Sequence, residues 1–477
     1  MATRITTPAD VSHSRRGFGK LVVPIFMALV IISALFQLCY HTKVVKEQAA
    51  RDNKHVESGH LDLDQLYIQQ HQLDASTIDT TPDDENIDFD AVEQKPSTCT
   101  DGQKKTIRTQ LTPLYCRRQK DFPWMHGCSF TVATKCPKQT WIEDYYAQQQ
   151  LETSINDDPF VGISVGCNKG FDAIETMRMG SSDTRFDKVA WNQALSMGGT
   201  VELDESVCKQ NRPENQVYVP LNAKVRSNSE MHCIEPMPLT YHVLQRAAHS
   251  LNLDSEGFLV NNLAIGKSSG MALFPKAHIG EVDDPNQNHN RVKVGTENKG
   301  IESCEILTDE ERMGVCQEVP IMTLDDYVSK YVTSAQAEGP IHMLSIDVEG
   351  YDFDVLLGGA QTLKRTHYVE FEYNWMGSWK NQHLQDAIHM LDEIGFTCYW
   401  AGMKKLWRIT DCWMDYYDLH HWSNVACVSR SQAYALAEQM ENLFVKTLRT
   451  PGLVYYPAFV LEQICRKGSK MPSCNTE

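Results

Sequence analysis

Three short stretches carry side chains of a type and spacing suited to handling a small ligand. Val161-Gly162-Ile163-Ser164-Val165-Gly166-Cys167-Asn168-Lys169-Gly170 runs an apolar strand into a Gly-x-Asn-x-Gly turn, with a helix predicted from Phe171 or Asp172. Glycine at 166 and 170 permits positive φ and lets a ligand approach the backbone. The free N–H groups at the start of the next helix would complete such a site, although a lone turn of this kind can be only a turn. Met231-His232-Cys233-Ile234-Glu235-Pro236 is an apolar run ending in a carboxylate suited to a diol such as a ribose. Ile346-Asp347-Val348-Glu349-Gly350 sets two carboxylates where a strand gives way to a loop, the end of an open α/β sheet at which ligands bind.

The elements that must position these residues alternate along the chain. Strands are predicted at 160–166, 231–236, 258–266, 341–350, 368–374, 396–400 and 424–430, and helices at 171–179, 239–251, 323–332, 352–364 and 381–395. This alternation predicts an α/β fold with a mostly parallel, doubly wound sheet, and the late run of strands predicts an antiparallel edge. No internal repeat is visible. The predicted domain plan is a tail over 1–20, an anchor over 21–40, a polar stem over 41–98 and a Cys- and aromatic-containing lead-in over 99–158. The main domain follows over 159–430, with an insertion at about 181–226 that is a candidate cap, and a helical extension over 431–477.

Leu21 to Tyr40 holds no charged residue, and 20 residues rising about 1.5 Å each span roughly the 30 Å of a bilayer's hydrocarbon core. Arg4, Arg15, Arg16 and Lys20 precede it against Asp10 alone, which predicts a cytoplasmic tail and an uncleaved signal anchor. The polar stem completes the plan of a single-pass type II protein of a Golgi or other secretory membrane, with its main domain lumenal. The fifteen cysteines include no CxxC pair or Cys/His quartet, so no zinc ligand set is predicted. Their scatter suits disulfides in an oxidising compartment. Cys99, Cys116, Cys128 and Cys136 form a loose cluster, and Cys304 with Cys316 and Cys465 with Cys474 are close pairs, with connectivity left open. A net charge of −17 without a Lys/Arg-rich block argues against a nucleic-acid partner.

Taken in order, VGISVGCNKG, IEPMP, FLVNNLAIG, TLDDYV and IDVEGYDFDVLLGGAQTL resemble the successive motifs of FkbM-type methyltransferases, over roughly Phe160 to Val428. The resemblance implies a Rossmann-like class I methyltransferase fold with S-adenosylmethionine as cofactor. Carried over by position, Gly166, Cys167, Asn168 and Gly170 should surround the methionine part, Glu235 should accept the ribose hydroxyls, and Asn262 with Ala264 should lie by the adenine. Asp347 and Glu349 should face the transferred methyl group or the acceptor. The chain departs from the family at Ser164, usually acidic, and at Ser345, often a lysine.

Methyl transfer from a sulfonium is an in-line displacement in which the protein aligns donor and acceptor and excludes water. An alcohol acceptor also needs a group to take its proton. Asp347 and Glu349 are the first candidates, and Glu372, at the end of the next strand, is another. Asp352-Phe353-Asp354 resembles a metal-binding DxD pair, but acidic residues are favoured in a helix's first turn. Tyr373, Trp375 and Trp379 read equally as a sugar platform or as core, and His420-His421 reads as a surface pair. The function predicted is O-methylation of a hydroxyl, on a glycan or glycoconjugate. A type II glycosyltransferase and a non-catalytic binding protein of the same fold are the alternatives.

Overall fold

The computed structural model describes residues 95–111, 139–151, 158–196, 201–203, 215–220, 223–276, 292–294, 302–333, 338–418, 420 and 422–450. The predicted membrane segment 21–40 with its tail and stem, Cys116, Cys128, Cys136, Cys465, Cys474, His421 and the extension past 450 lie outside the described residues. Among the described residues no helix is long and apolar enough to cross a membrane.

Helices α1 (Asp101–Leu111) and α2 (Thr140–Leu151) precede β1 (Val161–Val165), which is buried at every position, as a central parallel strand must be. Helix α3 (Phe171–Ser181) starts from Gly170, and α4 (Lys188–Ser196) follows within the predicted insertion. A small pair of strands, β2 (Val201–Leu203) and, much later, β7 (Val292–Val294), stands apart from the main sheet. Strand β3 (Glu230–Ile234), α5 (Pro238–Ser250) and β4 (Phe258–Asn261) continue the alternation. Next come β5 (Ala264–Ile265), β6 (Gly270–Pro275) and β8 (Cys316–Met322). Then α6 (Leu324–Tyr331), opened by a Thr323 hydroxyl that accepts from the Asp326 N–H, leads into β9 (Ile341–Ile346). The predicted helix 352–364 is two short ones, α7 (Asp352–Leu357) and α8 (Ala360–Leu363), because Gly358 and Gly359 interrupt it. The chain closes with β10 (Thr366–Tyr373), α9 (Leu384–Glu393), β11 (Phe396–Gly402), β12 (Lys405–Arg408), β13 (Ser423–Ser429) and α10 (Tyr434–Arg449).

The main sheet has eight strands in the order β12-β11-β13-β10-β9-β1-β3-β4. Strands β4, β3, β1, β9 and β10 run parallel, while β13, β11 and β12 join by antiparallel pairing. The sheet is thus the expected mixed α/β one, with an antiparallel end wider than a single edge strand. Strand order reverses between β1 and β9, so the connections on either side of that junction leave for opposite faces and open a crevice beyond the strands' carboxyl ends. A separate three-stranded sheet, β5-β8-β6, stands beside it and was not expected from the sequence. Four disulfides lie among the described residues. Cys304–Cys316 joins one of the close pairs, but Cys99 pairs with Cys412 rather than within its cluster, and Cys167–Cys233 and Cys398–Cys427 complete the set.

The lead-in segment belongs to the main body. Gln110 donates to the Thr447 carbonyl on α10 (2.9 Å) and accepts from Trp407 Nε1 on β12 (2.9 Å). Buried Arg408 pairs with Glu441 (2.5 Å) and donates to the Ser97 carbonyl (2.6 Å).

At the amino ends of β9 and β10, the imidazoles of His342 and His367 lie with ring centroids 5.0 Å apart, and His342 Nδ1 accepts the Val161 N–H. Burial first, then each other's charge and Arg226, push His342 down to about 3; burial and Arg226 push His367 down to about 4. Both values lie below that of an unfolded histidine, about 6.5, so the folded state holds these protons less tightly. The stability this pair contributes is present above pH 6.5 and is lost as pH falls from there toward 4. The melting-temperature gap between wild type and His367→Phe should therefore shift in the variant's favour, by roughly 3 °C or more, between pH 7 and pH 4.5 in calorimetry.

Candidate active site

The glycine loop is a run of unusual backbone. Gly166 (φ 81°), Asn168 (φ 49°) and Gly170 (φ 71°) all occupy the left-handed region, open to glycine and tolerated by asparagine. At Gly166 the constraint is also steric, because a Cβ there would lie 1.7 Å from the carbonyl oxygen of Asp347. The loop is tied to the end of β3, since the N–H groups of Gly166 and Cys167 both donate to the Ile234 carbonyl at 3.0 Å. Beneath it, the fully buried Trp191 of α4 donates from Nε1 to the Lys169 carbonyl at 2.8 Å. The described part of the insertion therefore supports the loop from behind, and none of its residues lines the cavity described below.

Glu235 directly follows β3 and is 2% exposed. Its Oε2 accepts the Asn168 N–H and its Oε1 accepts the Met237 N–H, both at 2.9 Å. Burial, with a smaller push from Asp347, outweighs these bonds and raises its carboxyl to about 7. Asn168 contributes a second unsatisfied feature, a buried amide oxygen without a hydrogen-bond partner.

Across the crevice, the loop after β9 turns sharply through Glu349 (φ 55°) and Gly350 (φ 99°), a backbone cost often found where a side chain must be aimed. Asp352, fully buried, pins this loop by accepting the Gly350 and Glu372 N–H groups, each at 3.3 Å. It stands at the start of α7, whereas Asp354 of the DxD-like pair meets Lys267 and accepts from Gln382 Nε2 at 3.2 Å. Period-two geometry puts Tyr368, Glu370 and Glu372 on one face of β10. Glu372 is 7% exposed and accepts from Asn374 Nδ2 at 2.7 Å. Burial, then Asp347, Asp352 and Glu349 in turn, raise its carboxyl well above the usual range. Glu370 accepts the Tyr368 hydroxyl at 2.9 Å and also accepts from Nε2 of Gln139, the residue just before α2, and burial first raises it to about 7. No periodicity or motif marked Glu370; the alternation of YVEFEY was the only available signal.

These loops surround a cavity of about 270 Å³ lined by Gly166, Asn168, Ile234, Glu235, Met237, Leu263, Ala264, Asp347 and Glu349, among others. Phe274 of β6 and Ile321 of β8 also line it, so the unexpected three-stranded sheet forms one wall. Lys267, also lining, reaches Asp354 at 3.6 Å across the mouth.

The structure thus gathers Gly166, Asn168, Glu235, Ala264, Asp347 and Glu349 around one space. It sets others beside it. Gly170 caps α3 against Trp191, and Cys167 is bridged to Cys233, so its side chain is turned away into a disulfide. Asn262 Nδ2 donates to the Glu235 and Pro236 carbonyls (both 2.9 Å), shaping the wall from outside. Glu372 stands behind Asp347 and Glu349 and is linked to them by charge. Ser164 and Ser345 are paired neighbours inside the sheet, outside the cavity. Of the aromatic trio, Tyr373 and Trp379 are fully buried, packed edge to face on each other, and only Trp375 is exposed. His420 Nε2 is occupied by the Trp379 and Gln382 carbonyls (2.8 and 3.2 Å). Among the described residues no three His, Cys, Asp or Glu side chains converge as a metal ligand set.

A doubly wound sheet with a left-handed glycine loop after β1, a buried carboxylate after β3 and a cavity at the strand-order reversal is an α/β arrangement whose crevice lies where open sheets of this kind place ligand sites. Residues 208–398 match the family model of the methyltransferase FkbM domain, so this part of the chain is similar to FkbM-type methyltransferases. That match includes Glu235, Ala264, Asp347, Glu349 and Glu372, and the glycine loop precedes it. No curated protein and no solved structure matches the chain.

Gly166→Ala should be among the most damaging changes here, since the added methyl meets backbone and the φ is unfavourable. A loss on the order of 3 kcal/mol or more is expected in denaturant unfolding, whereas Gly270→Ala, where nothing lies within 4 Å, should change stability little.

Proposed function

We propose that this chain is an S-adenosylmethionine-dependent O-methyltransferase acting on a hydroxyl of a glycan or glycoconjugate, held in a Golgi or other secretory membrane as a type II protein with its catalytic domain lumenal. The observation that carries the cofactor reading is the meeting, at one cavity, of the left-handed glycine loop, the buried Glu235 and the carboxylates of Asp347 and Glu349. The fit is favourable in two respects. The bare backbone at Gly166 leaves no side chain in the way, and the unpartnered Asn168 oxygen is an acceptor for an ammonium donor. The described disulfides and the apolar, uncharged run at 21–40 support the lumenal, anchored reading.

S-adenosylmethionine supplies, when bound, an electrophilic methyl group on a sulfonium. Gly166 and Asn168 hold the methionine part, Glu235 accepts the ribose hydroxyls, and Leu263, Ala264, Phe274 and Ile321 form the apolar wall for the adenine. Asp347 and Glu349 lie on the acceptor side and orient the hydroxyl. Asp347 or Glu349, which line the cavity, takes the hydroxyl's proton, and Glu372 behind them, whose proton affinity is raised by burial and by the neighbouring carboxylates, is placed to receive it from them. The three-stranded sheet supplies Phe274 and Ile321 as an apolar wall on one side of the cavity.

Calorimetric titration of the lumenal part (from about residue 95) with S-adenosylhomocysteine should give micromolar binding that Glu235→Ala weakens at least tenfold. A folded protein that binds neither S-adenosylhomocysteine nor S-adenosylmethionine would move the assignment to a non-catalytic descendant of the fold. Because Glu235 is pushed up to about 7 and its ionised form is the better acceptor for two hydroxyls, affinity should rise as pH increases through about 7, and Glu235→Gln should abolish that slope. With a glycan acceptor found by screening, Glu372→Gln should leave cofactor affinity intact and lower kcat by roughly 10² or more.

A further inference from the structure

We propose that the Cys167–Cys233 disulfide is a positioning element of the cofactor site, holding the glycine loop in its binding conformation, so that cofactor affinity depends on the thiol–disulfide state of this one bridge. The proposal rests on the cofactor reading above only for its ligand; the loop geometry stands without it.

The bridge ties the glycine loop covalently to β3. Cys167 follows Gly166 within the loop, and Cys233 is the penultimate residue of β3, two positions before Glu235. The two cysteines are 7% and 0% exposed. The same junction is crossed by three hydrogen bonds, from the Gly166 and Cys167 N–H groups to the Ile234 carbonyl and from the Asn168 N–H to Glu235, whose other oxygen accepts the Met237 N–H on its own side. The bridge therefore fixes the spacing across which every contact between loop and carboxylate is made.

Without a ligand, that spacing is unfavourable to maintain. Three residues of the loop sit at positive φ, Asn168 among them without glycine's freedom. The Asn168 amide oxygen is buried without a partner, and Glu235 is a carboxylate withdrawn from water. Each of these costs is relieved if the loop lifts away from β3 and lets water in. A covalent tie denies that relaxation, so the ligand meets a preformed site and the ordering cost of binding is reduced. The other described bridges lie elsewhere: Cys398–Cys427 links paired residues of β11 and β13, Cys304–Cys316 belongs to the three-stranded sheet, and Cys99–Cys412 fastens the lead-in segment. A dithiol reductant would open the tie by exchange. The S–S bond breaks, the two cysteines leave as thiols with the dithiol's two protons and two electrons, and the reductant closes into its own cyclic disulfide.

The test compares Cys167→Ala/Cys233→Ala with a control, Cys398→Ala/Cys427→Ala, each in the protein from residue 95 onward and alongside wild type. Amide hydrogen exchange in the ligand-free proteins should show protection at residues 166–170 falling at least tenfold in the first variant and staying unchanged in the control. S-adenosylhomocysteine affinity should fall at least tenfold in the first variant alone, and dithiothreitol should reproduce both effects in the control background. If the alanine pair does not fold, Cys167→Ala/Cys233→Val, which refills the lost volume, takes its place. Unchanged exchange at 166–170, or loosened exchange with unchanged affinity, overturns the proposal. Loosened exchange in a series whose wild type binds no S-adenosylhomocysteine upholds the loop's dependence on the bridge and removes the cofactor assignment instead.

Discussion

The crevice exists because two loops meet backbone to backbone. The carbonyl of Asp347 occupies the space a side chain at 166 would need, so the turn after β1 and the turn after β9 can close on each other only at a glycine. The same device recurs one loop further on. A Cβ on Gly350 would lie 2.4 Å from the Met376 carbonyl carbon, and one on Gly377 would lie 2.7 Å from that of Gly350. Three successive loops are thus nested through main-chain contact, and this nesting brings carboxylates from β9 and β10 to one place. Side chains then refine what the backbone has gathered: Asp352 ties the middle loop to β10, and Trp379, stacked on Phe353, donates to the Glu372 carbonyl.

Once gathered, these carboxylates govern one another. Asp347 raises the proton affinity of Glu235, Asp352, Glu370 and Glu372, although in each case burial is the larger cause. The crevice is accordingly rich in acids that release their protons late and compete for the same ones. Such an environment favours groups that donate hydrogen bonds or carry positive charge, and it discourages phosphate. It also gives the lead-in segment a role beyond packing, since Gln139, just before α2, is a direct partner of one of these acids.

The parts of this arrangement legible in the sequence are those whose constraints are local. The glycine loop could be read because positive φ selects Gly166, Asn168 and Gly170 within five residues, and the strands because burial on both faces demands apolar runs such as VGISV. Glu235, Asp347 and Glu349 could be placed at strand ends for the same reason. What could not be read depends on distant parts of the chain. The wall made by Phe274 and Ile321 comes from β6 and β8, and β8 carries Pro320 in its interior, where a sequence reading does not expect a strand. Trp191 looked like any amphipathic tryptophan until it lay under Lys169, and Glu370 differs from a surface acid only through neighbours far away in sequence. The aromatic reading of Tyr373 and Trp379 resolves to core because both rings are fully buried and packed edge to face on each other.

The closure of the lead-in segment onto the end of the domain bears on how the chain is made. Cys99 is synthesised 313 residues before Cys412. At translation rates of about 5–20 residues per second, it waits on the order of half a minute as a thiol while Cys167, Cys233, Cys304 and Cys316 pass it. Each of these is a wrong partner nearer in time than the right one, and Gln110 and Ser97 likewise find their partners only when β12 and α10 emerge. Maturation of this domain therefore falls largely after its synthesis, and its yield in any host depends on how fast that host can reshuffle early, mistaken disulfides.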